Sequence, residues 1–185
     1  MNKVFSFGII NLKEGICMKT IFLDVDGVIY PCHDRKLLSD NSDKIKKKLV
    51  KKDRIFKKMN ALELQFVYEG WDQKALYYVK KLVENSGANI VISSSWKYMR
   101  SLEYMKLLFK IYDLDRYVID LTKDTDDFSK VTQITDYLNE HVEIEEYVIL
   151  DDIDLRKNFP NHCVVCPDVI TADCYEEALK ILGKK

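Results

Sequence analysis

Five short apolar, β-branched runs recur along the chain with helical periods between them. The runs are TIFLDV from Thr20, NIVIS from Asn89, YVIDL from Tyr117, YVILD from Tyr147 and CVVC from Cys163. Short runs of this kind read as buried strands. Ala75, Leu76, Val79, Leu82 and Val83 keep helical spacing until Gly87, and Leu102, Met105, Leu108 and Phe109 repeat the pattern. Ser129 is placed to cap a third helix carrying Val131, Ile134 and Leu138, and Tyr175, Ala178, Leu179 and Leu182 form a fourth. Strands alternating with helices argue for a parallel sheet covered on both faces. The expected fold is therefore α/β, a Rossmann-like three-layer sandwich with a central parallel sheet of about five strands. Sites in such a sheet form beyond the carboxyl ends of its strands. Asp24 and Asp26 close the first run, Ser93 to Ser95 the second, and Asp151 and Asp152 the fourth, so all three groups are expected along one rim.

At 185 residues the chain suits one domain that buries roughly 70% of its unfolded surface, so it needs no covalent staple. Five cysteines, an odd count without secretory context, favour reduced thiols and a cytoplasmic home. A net charge of −1 argues against attraction of the whole molecule to nucleic acid or membrane, so any basic site is local. The N-terminal VFSFGII is too short to span a bilayer and meets Lys13 and Glu14 without a small-residue cleavage site, so neither a membrane nor an export role is expected. Residues 1–17 precede the first strand, and KEGICM fits a ribosome-binding site read through as protein in a bacterial gene. Met18 is then the expected natural start and 18–185 the single domain.

Residues 31–70 are too long for an ordinary connection. They contain KIKKKLVKKDRIFKK, with Ile45, Leu49, Phe56 and Met59 at approximately helical spacing, and are expected to form a small helical insert beside the rim. The lysine run reads either as a solvated helix face or as an anion-attracting lid.

The stretch IFLDVDGVIY, residues 21–30, drives an apolar strand into two acids one residue apart. Extended backbone places both carboxylates on one side, where they repel unless a cation sits near them. A strand tip that holds a divalent metal supplies that cation. Taken alone, each group has a plainer reading: solvated acids at a loop start, serines satisfying a turn, Asp151 and Asp152 capping a helix, Lys130 on a solvated helix face.

Together the groups resemble the haloacid dehalogenase (HAD) superfamily of phosphohydrolases and phosphotransferases. That family places Asp-x-Asp after the first strand, Ser or Thr after the second, a basic residue before the fourth, and an acidic pair at the fourth strand's end. Here DVDGV supplies Asp24 and Asp26, VISSSW supplies Ser94, Lys130 is the basic residue, and VILDD supplies Asp151 and Asp152. Ser93 takes the hydroxyl role if the strand ends one residue earlier, and Lys97 and Lys123 compete with Lys130. The resemblance implies a Mg2+ ion held by Asp24, the backbone carbonyl of Asp26, Asp151 and Asp152. It implies that Asp24 is the nucleophile, that Asp26 acts as acid and then base, and that the serine and lysine meet the phosphate. Family members acting on small metabolites often carry a large cap domain, for which this length leaves no room. An open rim admits macromolecular ends, whereas a folded-down insert selects small molecules.

The expected activity is Mg2+-dependent hydrolysis of phosphomonoesters, with nucleotides and phosphorylated nucleic-acid ends ranked ahead of sugar phosphates. The basic insert and the aromatic residues Trp71, Trp96 and Tyr98 motivate that order. A binding module without turnover and a phosphotransferase with another acceptor are the alternatives; dehalogenation suits these acids least. HCVVC, residues 162–166, invites a zinc reading with Cys32 and His33, but on a strand the period of two sends its thiols to opposite faces, which favours packing.

Overall fold

In the computed structural model, residues 18–33, 35 and 37–184 are described. The expectation about residues 1–17 lies outside them. The five apolar runs form strands: β1 (Met18–Leu23), β2 (Asn89–Ile92), β3 (Val118–Leu121), β4 (Ile144–Asp151) and β5 (Cys163–Val165). They make one parallel sheet in the order β3-β2-β1-β4-β5, with β1 at its centre. Leu23 lies opposite both Ile92 and Leu150. That register sets the ends of β1, β2 and β4 side by side, as the rim argument requires.

Side-chain alternation sorts the core by parity. Ile21, Leu23, Ile90, Ile92, Val148 and Leu150 face one side and join the larger cluster. Phe22, Val91 and Ile149 face the other and pack under Ile134 and Tyr137. The second face is thus covered by one helix, the one carrying Ile134 and Tyr137, and by the turn bearing Leu155 and Phe159. Cys163 belongs to the smaller cluster and Cys166 to the larger, so the two thiols do take opposite faces.

Among the described residues, six α-helices accompany the strands, five between them and one after the last: α1 (Ser42–Lys52), α2 (Ala61–Gly70), α3 (Gln73–Ser86), α4 (Leu102–Lys110), α5 (Lys130–Glu140) and α6 (Ala172–Leu182). Their ends follow local chemistry. Asp72 caps α3 by accepting from the amides of Lys74 and Ala75, and Gly87 at φ +75° ends it. The Ser129 hydroxyl accepts from the Thr132 amide at 3.3 Å and starts α5.

The insert departs from a single helix. Asp53, in extended backbone at φ −150°, ends α1 and caps a short 3-10 turn, Arg54–Lys58, before α2 begins. Ile45, Leu49, Phe56 and Met59 are all buried, in the same cluster as Val79 and Ile90. The insert therefore shares the main core. No helix among the described residues is long and apolar enough to cross a membrane.

Candidate active site

Beyond Leu23 the chain leaves the sheet in a tight turn. The amides of Ile29 and Tyr30 donate to the Val25 carbonyl at 3.0 and 2.9 Å, and the Gly27 amide donates to Tyr30 O at 2.8 Å. Gly27 needs its left-handed φ of +69°, and a Cβ there would sit 2.5 Å from Cβ of Asp152. This turn separates the two acids that extended backbone would have kept together.

Asp24 is buried. Its Oδ1 accepts from the Val25 amide at 2.7 Å and its Oδ2 from Lys130 Nζ at 2.6 Å. The same ammonium donates to Asp151 Oδ2 at 2.6 Å. Burial alone would lower the lysine's pKa, but the Asp151 and Asp24 charges outweigh it and raise it, so Lys130 stays protonated. Asp151, fully buried, is pushed up by desolvation, against the pull of Lys130 and with the repulsion of Asp24. One oxygen each from Asp24, Asp151 and Asp152 lies within 4.8 Å of the others. Three hard carboxylate oxygens this close suit a small divalent cation such as Mg2+. Asp152 has no ion-pair partner among the described residues, so Lys130 leaves negative charge for a metal to meet.

Asp26 turns the other way. Its Oδ2 accepts from Trp96 Nε1 at 3.0 Å and faces Ser95 Oγ at 3.5 Å. Partial burial raises its pKa, and the charges of Asp24 and Asp152 add to this against the Trp96 hydrogen bond and Arg35. Its carboxylate stands outside the three-acid group, so its expected metal contact rests on its backbone carbonyl alone.

A cavity of about 370 Å³ gathers Asp24, Asp26, Ser93, Ser94, Lys130 and Asp152. The Ser93 hydroxyl is buried without a partner among the described residues. Ser94 Oγ accepts from the Trp96 amide at 3.4 Å and so keeps its proton free to donate. Both serines can meet an anion here. The competing lysines are engaged elsewhere: Lys97 is buried against Asp124, and Lys123 pairs with Glu140 at 2.6 Å on the surface. Sequence reasoning missed Phe128 and Gln133, which also line the cavity. Gln133 was legible in principle, one helical turn after Lys130.

Two expectations need correction. Trp71 is wholly buried, packed on Trp96, Phe109 and Tyr112, and cannot hold a base. Among the described residues, none of the insert's lysines lines the cavity of Asp24; Lys46 is bound to Met59 O and Lys52 to Asp113. The zinc reading gains nothing either, since His162 stacks on Tyr147 and His33 pairs with Asp168.

Residues 20–170 match the model of a family described as the HAD domain in Swiss Army Knife RNA repair proteins. The chain belongs to that HAD family. No curated protein matches it. Among solved structures, this HAD domain is similar to a predicted phosphatase from Clostridium acetobutylicum, at 13% identity over 88% of this chain and 98% of that one, with a TM-score of 0.43.

Proposed function

We propose that this HAD domain is a Mg2+-dependent phosphomonoesterase that acts on phosphorylated RNA ends or nucleotides through an aspartyl-phosphate at Asp24. The observation that carries the reading is the split pair: Asp24 held at 2.6 Å by Lys130 beside Asp151, with Asp26 turned away onto Trp96. One acid lies against the Lys130 ammonium and the other, partly buried, has its pKa raised, which suits a nucleophile and a general acid.

Asp24 attacks phosphorus with one carboxylate oxygen, and the ester oxygen leaves with a proton from Asp26. A phosphoryl group is then bound to Asp24. Asp26, now a carboxylate, takes a proton from water, whose oxygen attacks the same phosphorus and releases inorganic phosphate and free Asp24. Lys130 and the hydroxyls of Ser93 and Ser94 donate to the equatorial oxygens, where charge gathers during both displacements. Asp24, Asp151, Asp152 and the Asp26 carbonyl would hold Mg2+, which supplies neutralisation of the dianion as the carboxylate approaches. The direction toward RNA comes from the family's description as a domain of RNA repair proteins.

The test is phosphate release from 5′- and 3′-phosphorylated RNA, nucleotides and sugar phosphates, by the intact chain and by Asp24→Asn. Release that requires Mg2+ and disappears in the variant is expected, with RNA ends or nucleotides preferred. No release from any of them while Mg2+ binds would replace this reading with a binding module.

A further inference from the structure

We infer that Phe66 and Trp96 form a stacking subsite for the base of the departing nucleoside. The inference rests on the phosphomonoesterase reading and specifies where its leaving group lies. A second cavity, of about 620 Å³, opens between the start of α2 and the segment after β2. Ser95 lines both this cavity and the one holding Asp24. Asp26 lies at the junction, because its carboxylate contacts Ser95 Oγ and Trp96 Nε1. A leaving oxygen must lie within hydrogen-bond reach of the acid that protonates it. Whatever is attached to that oxygen therefore emerges beside Trp96.

The second cavity is aromatic. The Phe66 and Trp96 rings lie 5.7 Å apart at 36°, both half-buried, with Tyr30 packed behind them at 5.0 and 6.0 Å. Leu62 adds an exposed apolar edge. Its polar members are already engaged. Asn60 caps α2 through the amides of Leu62 and Glu63. Glu63 takes Arg100 at 3.2 Å and the Tyr104 hydroxyl, and Arg100 also donates to Trp96 O at 2.8 Å. A bare sugar phosphate would find few free donors or acceptors here, and a second phosphate would find an arginine whose charge is already met. A flat π-surface finds two rings. A nucleobase is the leaving-group component with that chemistry.

The experiment compares AMP with ribose 5-phosphate, which lacks the base, on the intact chain and on Phe66→Leu, which keeps apolar bulk and removes the π-face. The KM for AMP is expected to rise at least about fivefold in the variant, with that for ribose 5-phosphate within about twofold of the intact chain. Equal changes for both substrates, or none, would overturn the inference. A second arm needs no turnover: adenosine is titrated into Asp24→Asn while Trp fluorescence is followed. Saturable quenching, weakened by adding Phe66→Leu, supports the subsite even if neither ester is hydrolysed. Absence of quenching overturns it even if phosphate release stands.

Discussion

Gly27 carries more of the site's geometry than its lack of a side chain suggests. Its positive φ and the 2.5 Å approach of Asp152 leave no room for a methyl group, so Gly27→Ala must displace either the turn or the carboxylate. The expected outcome is at least about a tenfold loss of Mg2+ affinity by titration calorimetry, with the fold retained; unchanged affinity would show that the turn absorbs the methyl group. Lys130 offers a complementary case. Its removal leaves Asp24 facing buried Asp151 with no cation between them, a cost of about 3 kcal/mol. For a chain of this size, Lys130→Ala in chelator should lower Tm by about 6–12 °C, and Mg2+ should raise Tm more in the variant than in the intact chain. At this scale the residue types of the rim were legible, because acids and serines at strand ends have few other uses in combination. The side on which an aromatic ring packs was not. Trp71 and Trp96 read alike in sequence, yet one fills the core and the other borders a cavity, a difference set by contacts from α4 and Tyr112.

Among the elements, one carboxylate ties the start of the insert to its own second helix. Glu69 on α2 accepts from the Ser39 amide at 2.9 Å and from the Ser39 hydroxyl at 2.5 Å, while Gln65 adds a third donor at 2.9 Å. The Ser39 and Gln65 side chains hold its pKa below the usual glutamate range. A depressed carboxylate stabilises the fold above its unfolded pKa and loses that contribution as pH falls through the folded value. Glu69→Gln should therefore lower Tm by about 2–4 °C at pH 7, from a loss of about 1 kcal/mol, and the difference should begin to narrow as pH falls below the unfolded glutamate value of about 4.3. A gap that does not narrow at all on acidification would assign the effect to packing. The apolar spacing of the insert showed in the sequence, but its break did not. Asp53 could be read as one more charge in a lysine-rich run, yet its extended backbone ends α1 and its carboxylate, accepting from the Ile55 amide at 3.0 Å, starts the 3-10 turn.

Taken whole, the molecule is uneven across its sheet. The alternation of strands and helices pointed in advance to a parallel sheet, whereas the strand order and the partition of the helices between the faces depended on which apolar stripe met which, and no periodicity reports that. α1, α2 and the 3-10 turn contribute Ile45, Leu49, Phe56 and Leu64 to the larger cluster. Replacing residues 37–70 with a short Gly-Ser linker is expected to abolish cooperative unfolding followed by circular dichroism; a variant that still melts sharply would make the insert a separable lid. The smaller face has a different consequence. α5 covers it through Ile134 and Tyr137, and the first residue of the same helix is Lys130. The ammonium that holds Asp24 is thus mounted on the hatch of the thinner core. Any excursion that lifts α5 from the sheet withdraws Lys130 from Asp24 in the same movement, so the breathing of this face and the pairing of Asp24 with its cation are one degree of freedom.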